Sequence, residues 1–339
     1  MQSSGSAVSV DRLSRRARRL LLPSAKWCAL LALACSSVWA TPGTARAQER
    51  QSAEPDQQQI GGQLLGYLQS KQLDQAIALG QNAVARWPQN ADFHHWLGIA
   101  FFQSGKNSPA LAQLAQAAKL RPQDYDIHFD TALVHLQDKQ YGAAAEQLTQ
   151  ALRLKPDHPL AHLLLGRAYQ NSNRSLDAIE EFKTALRLKP DIELGHYHLG
   201  YAYASLGRDQ QAIAEYQKEV ARGHANAEVY YQLGHELLQS GQAQAAAEAL
   251  RKAIALDGTR ADTFYDLGKA LLALKQMPDA IEALRRSTTL NPADPSPHYQ
   301  LARALRLSGD TAGANSELQQ FEQLRKQQPQ TGGMASGVH

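Results

Sequence analysis

The residues best equipped for chemistry in this chain are its twelve histidines, and their spacing is regular. His94, His128, His162 and His196 follow one another at intervals of 34 residues, and His298 falls three intervals later. Imidazoles in such numbers suggest a metal site or acid–base catalysis. The interval argues against a shared ion. Packed helices lie roughly 10 Å apart, whereas a metal needs its ligands at about 2 Å. His196 and His198 are two apart and point to different helical faces. His158 and His162 are four apart and could meet, but Pro159 puts a helix start between them. The column therefore reads as half-buried packing residues. No phosphate-binding glycine loop or paired-carboxylate motif is present, and the two cysteines, Cys28 and Cys35, both lie near the N-terminus. The expectation is a non-enzymatic chain with no catalytic residue, metal or cofactor.

A second column sits one residue after the first. It reads His95, Phe129, Leu163, Tyr197, Tyr231, Tyr265 and Tyr299. Tyrosine offers a rigid apolar face with one hydrogen-bonding end, which suits recognition better than catalysis.

The elements that must position these columns carry the same period. Alanine recurs at Ala76, Ala110, Ala144, Ala178, Ala212, Ala246, Ala280 and Ala314, with no insertion or deletion. A fixed period of this size is the signature of a solenoid, in which each unit contacts only its neighbours. We number each repeat so that this alanine is position 20; the repeats then begin at 57, 91, 125, 159, 193, 227, 261 and 295. Position 8 is mostly glycine (Gly98, Gly166, Gly200, Gly234, Gly268), position 24 is large and apolar from Leu114 to Leu318, and position 32 is proline in five repeats. Positions 4, 7, 8 and 11 fall on one helical face. A small residue at position 8 lets a second helix approach, with the position-20 alanine as its expected contact, and the proline stops that second helix. One hairpin cannot bury both its faces, so the repeats must stack.

These columns, with "WLGIAFFQSG" and "LLGRAYQNSN" as first-helix segments, resemble the tetratricopeptide repeat family over residues 57–328. The resemblance implies an all-α, right-handed superhelical solenoid of eight helical hairpins. It also implies that positions 2, 5, 9, 12 and 13 of each first helix face a concave groove. The partner-binding residues expected there are Phe102, Phe129, Arg167, Tyr197, Tyr201, Tyr231, His235, Tyr265, Lys269, Tyr299, Arg303 and Arg306. A groove clamp for a peptide's C-terminal carboxylate, known in the family, is not expected. Its Asn/Lys pairs are missing at positions 5 and 9 of repeats 2 and 3, although Lys269, Arg303 and Arg306 could attract an acidic group.

The first 47 residues differ in kind. A basic start (Arg12 to Lys26), a short apolar run from Trp27 to Ala40, and Ala45-Arg46-Ala47 form the three parts of a secretory signal peptide. The run is too short to span a bilayer comfortably. Cleavage after Ala47 is expected, with Ala40 as the other site and lipidation at Cys35 as a weaker alternative. Seven of the 35 Lys and Arg residues and one of the 32 Asp and Glu residues lie in this segment, so its removal turns the formal charge from +3 to −3. The basic balance is thus an export feature and not a nucleic-acid footprint. Residues 48–56 read as a polar linker and 329–339 as a disordered tail. The functional expectation is an exported periplasmic or extracellular scaffold that binds a protein or peptide. An adaptor for a cell-envelope polysaccharide and a noncatalytic subunit of an envelope enzyme complex are the alternatives.

One register position breaks the pattern. Position 27 is small at Ala83, Ala117, Ala151, Ala185, Ala253 and Ser287, but it is Glu219 in the fifth repeat, where His224 also replaces the proline. Pairing with Arg222 or His224, an outward-reaching stem, or a softer joint between repeats 1–5 and 6–8 are the readings open here.

Overall fold

The computed structural model describes residues 42–327, with side chains from residue 55 onward. The cleavage site, Cys35 and the C-terminal tail therefore lie outside the described side chains. Sixteen helices and no strand occupy the described residues. They are α1 (Pro42–Gln69), α2 (Leu73–Arg86), α3 (Ala91–Gln103), α4 (Asn107–Leu120), α5 (Tyr125–Gln137), α6 (Tyr141–Leu154), α7 (Pro159–Asn171), α8 (Ser175–Leu188), α9 (Gly195–Ala204), α10 (Asp209–Ala221), α11 (Ala227–Gln239), α12 (Ala243–Leu256), α13 (Ala261–Ala273), α14 (Met277–Leu290), α15 (Pro295–Leu307) and α16 (Thr311–Gln327). This is an all-α solenoid of helical hairpins. The polar linker expected at 48–56 is instead helical, as part of α1. The chain divides into two compact units, Met1–Leu154 and Lys155–His339.

In repeats 2–4 and 6–8 the first helix begins where the register places it, and in all of these but repeat 7 the sequence supplies a side-chain cap there. Asn90, Asp124, Asn226 and Asp294 each accept a backbone N–H of the first turn with a side-chain oxygen. Pro159 and Pro295 occupy first-turn positions, where no N–H is missed. Inside each hairpin the chain reverses at position 15, and all eight residues there have positive φ: Lys71, Gly105, Lys139, Asn173, Gly207, Gly241, Lys275 and Gly309. Half are glycine, the residue for which a left-handed φ carries no steric cost.

All eight position-20 alanines are fully buried. The glycines at position 8 make a different contact from the one expected. A Cβ added to Gly166 would lie 2.5 Å from Cε1 of Phe182, and one on Gly268 would lie 2.5 Å from Cγ of Leu284. The missing Cβ therefore seats the position-24 side chain of the second helix. The position-20 contact is secondary: at Gly98, Gly200 and Gly234 it is the alanine's backbone oxygen, at 3.2–3.3 Å. The buried plugs Leu114, Leu148, Phe182, Tyr216, Leu250 and Leu284 follow from this fit.

Repeat 5 departs from the frame and explains Glu219. Its first helix, α9, starts two residues late, after Leu194 in a left-handed conformation (φ 61°) that provides no side-chain cap. The Glu219 carboxylate, fully buried, accepts the backbone N–H groups of Leu194 (3.0 Å), His196 (3.0 Å) and Tyr197 (3.2 Å). The N–H of Gly195 is taken by the Ile192 carbonyl at 3.1 Å. All four free donors of the helix start are thus satisfied, and the carboxylate faces the positive end of the helix. Arg222 goes elsewhere, donating to the Pro190 carbonyl at 2.5 Å, and His224 Nδ1 lies 3.4 Å from the carboxylate. Glu219 thus ties its own repeat together.

Candidate functional site

The tyrosine column is carried by four first helices of the second unit. Tyr197 lies on α9, Tyr231 on α11, Tyr265 on α13 and Tyr299 on α15. Tyr197, Tyr231 and Tyr265 are half-buried, with one side of each packed on the unit's core. Tyr299 is 48% exposed and Tyr201 40%. Tyr197 stands 6.4 Å from the Tyr201 ring and 6.0 Å from the Tyr216 ring, while Tyr299 rests 5.4 Å from Phe321. Burial pushes the phenols of Tyr197, Tyr231 and Tyr265 above their ordinary range, so they stay protonated as donors at neutral pH.

Cations flank these rings. The Arg260 guanidinium sits 4.3 Å from the centre of Tyr231 and also pairs with Glu228 and Asp262. Lys269 Nζ lies 5.1 Å from the Tyr265 ring and 3.2 Å from Asp266 Oδ1. His235 Nδ1–H donates to the other Asp266 oxygen at 2.7 Å, so this buried carboxylate bridges α11 and α13. The Asp266 hydrogen bond raises the His235 pKa, outweighing burial. The first unit repeats the device between His95 and Asp130, at 2.8 Å. Arg167 on α7 adds positive potential at Tyr197 and His198. Arg303 and Arg306 on α15 are exposed and make no ion pair among the described residues. Aromatic faces beside guanidinium and ammonium groups form a surface suited to polar–apolar recognition.

Two expected site residues are buried. Phe102 and Phe129 belong to the first unit and are buried, at 8% and 7% exposure. Phe102 is part of its core cluster, and Phe129 stacks on Tyr125 at 5.5 Å. Two residues that sequence reasoning missed shape the face: Arg260 and Asp266. Arg260 ends a repeat in a turn, so helical periodicity carries no signal for it.

The position-4 histidines are structural staples. In three repeats the ring bridges two partners: the position-23 side chain of its own hairpin and the position-32 proline carbonyl of the preceding repeat. His94 meets Gln113 (2.7 Å) and Pro88 O (3.0 Å); His128 meets Gln147 (2.8 Å) and Pro122 O (2.9 Å). His162 donates to Glu181 (2.6 Å) and to Pro156 O (2.7 Å). Both partners of His162 are obligate acceptors, so both ring nitrogens carry protons. Burial lowers its pKa, but the Glu181 and Pro156 hydrogen bonds win and raise it. A Gln amide can turn either end to the ring and needs no charge. His196 and His298 keep the first half of the staple, to Glu215 and Glu317 at 2.6 Å. The pairing of His at position 4 with Gln or Glu nineteen residues later was readable in the sequence as a coupled column.

Fold and face together define a repeat scaffold. Among the described residues no three His, Cys, Asp or Glu side chains converge as metal ligands, and no helix is long and apolar enough to cross a membrane. Profiles of the tetratricopeptide repeat match residues 63–108, 97–159, 135–194, 195–218 and 231–295. The chain belongs to the tetratricopeptide repeat family. Among solved structures it is similar to the APC/C hetero-tetramer Cut9–Hcn1 (22% identity, 71% of this chain and 48% of that one, TM-score 0.53). It is also similar to YrrB, a TPR protein with an unusual peptide-binding site (19% identity, 55% of this chain and 95% of that one, TM-score 0.51). MamA is similar at 26% identity over 48% of this chain and 95% of its own, with a TM-score of 0.46. No curated protein matches the sequence.

Proposed function

We propose that the protein is an exported, noncatalytic interaction scaffold whose tyrosine face, on α9, α11, α13 and α15, holds an extended peptide segment of a partner protein. The observation that carries this reading is the recurrence of partly exposed tyrosines at one register position. Core packing is already supplied by positions 8, 20 and 24, so the column is free to serve recognition. The YrrB likeness supports peptide as the ligand class. The basic, apolar and small-residue segments of 1–47 support export.

The test is the double substitution Tyr231→Ala with Tyr265→Ala. Aromatic contacts contribute about 0.5–1.5 kcal/mol each beyond burial, so affinity for peptides selected on an array by the wild-type protein should fall roughly tenfold or more. The helical signal should persist. Undiminished peptide capture by the folded double variant would remove the tyrosine face as the site, and capture from a glycan array instead would move the reading to an envelope polymer.

A further inference from the structure

The full histidine staple joins neighbouring repeats at three junctions, ahead of repeats 2, 3 and 4, and repeats 6 and 7 have no histidine at its position. In repeat 7 the histidine position is Phe264, its Gln/Glu partner position is Ala283, and the preceding repeat offers Gly258 where proline normally stands. At this junction an open furrow of about 600 Å³ lies between α12, α13 and α14. Phe264, Leu267 and Leu271 of α13 form its floor, with Ala283 on the α14 wall. Arg251, Arg285 and Arg286 stand on its rim beside Asp279 and Glu282. Arg251 approaches Asp279 at 3.8 Å, while Arg285 and Arg286 are exposed and make no ion pair among the described residues. Repeat 6 also lacks the staple, with Tyr230 and Ala249 in those positions, but there Lys252 extends over the Tyr230 ring at 5.5 Å.

We propose that this furrow is a second docking site, separate from the tyrosine face, and that it takes a partner polypeptide through one large apolar side chain flanked by carboxylates. Three observations lead there. The floor is aromatic and aliphatic where the junctions ahead of repeats 2, 3 and 4 carry a polar bridge. The volume suits a side-chain anchor, within the usual range of about 300–1,000 Å³ for ligand sites. Two unpaired guanidiniums on the rim favour planar acidic groups, which they can grip with two hydrogen bonds each. A buried apolar anchor beside arginine is also the usual composition of an interface hot spot.

The test uses the full chain and two labelled hexapeptides, acetyl-Glu-Glu-Leu-Phe-Glu-Glu-amide and its counterpart with Lys in place of every Glu. The acidic peptide should bind saturably at one site, and the basic one should bind at least tenfold more weakly. Phe264→His combined with Ala283→Gln installs the staple of repeats 2 and 3, and should cut acidic-peptide affinity tenfold or more while the melting temperature holds. Arg285→Glu with Arg286→Glu should do the same without touching the floor. Tyr231→Ala with Tyr265→Ala should leave this binding unchanged, which separates the furrow from the tyrosine face. The proposal is overturned if the two peptides bind alike, if the acidic peptide shows no saturable binding, or if the folded staple-installed variant binds it as well as wild type. Self-association in sedimentation that disappears in the staple-installed variant would overturn it in favour of a second copy of this chain.

Discussion

Replacing Glu219 with alanine should unlock the start of α9. The wild-type carboxylate accepts three backbone N–H groups at 3.0–3.2 Å from a fully buried position. Hydrogen bonds to a charged group contribute about 1.5–3 kcal/mol each, and loss of an ordinary N-cap costs about 1 kcal/mol. The three bonds share one acceptor, so they do not add in full, and removal of one partner from a buried charged network costs about 3–5 kcal/mol. We expect a destabilisation of about 3–5 kcal/mol, at the level of that network figure. A repeat array need not unfold as one unit, so the informative assay is amide hydrogen exchange across 195–204 alongside urea unfolding. Protection in α9 should fall on the order of a hundredfold or more, with helices of the first unit unchanged. Glu219→Gln keeps one acceptor oxygen and should fall between, at about 1–3 kcal/mol. Ala185→Glu, at the same register position of repeat 4, should also destabilise. The helix start it faces is already capped by His158 and begins with Pro159, so the new carboxylate would be buried without donors. If Glu219→Ala retained wild-type exchange in α9, the carboxylate would not be holding the helix start and the account of repeat 5 would fall.

Three further outcomes are expected. Gly166→Ala should destabilise by about 1–3 kcal/mol through overpacking against Phe182, and Phe182→Ala by about 3–5 kcal/mol through a cavity, both read by thermal or urea unfolding. His162 has a raised folded-state pKa, so the stability it draws from Glu181 and Pro156 is fully present below its unfolded pKa of about 6.5 and is lost as pH rises through the folded value. The melting-temperature gap between wild type and His162→Gln should therefore be widest in mild acid and narrow above neutrality; a gap independent of pH would contradict the doubly protonated ring. Mass spectrometry of the exported protein should find Gln48 at its N-terminus, whereas a lipidated Cys35 there would establish the lipoprotein alternative.

The sequence alone determined the repeat. Alanine at position 20 recurs without a slip, with glycine or alanine at 8 from Gly98 and a large residue at 24 from Leu114 onward, because helix-to-helix contact within a hairpin is local, and each copy must solve the same packing problem. That periodicity was enough to place helix starts such as Ala91, Tyr125 and Ala261, and to set out the tyrosine column of α9 to α15. Tertiary structure decided what the exceptions do. Glu219 looked like a misplaced charge, and only the late start of α9, about twenty residues away in sequence, reveals the free N–H groups that receive it. Phe102 and Phe129 share a face with the tyrosines by register, yet neighbouring side chains cover them. Phe264 stands at position 4 of repeat 7. Its meaning comes from the histidine bridges at three other junctions, which cross between hairpins and close gaps that no single repeat contains. Spacing along the chain fixes what lies on one helix face. Which buried donor, carbonyl or void stands opposite is fixed by contact between segments, and the period by itself carries no record of it.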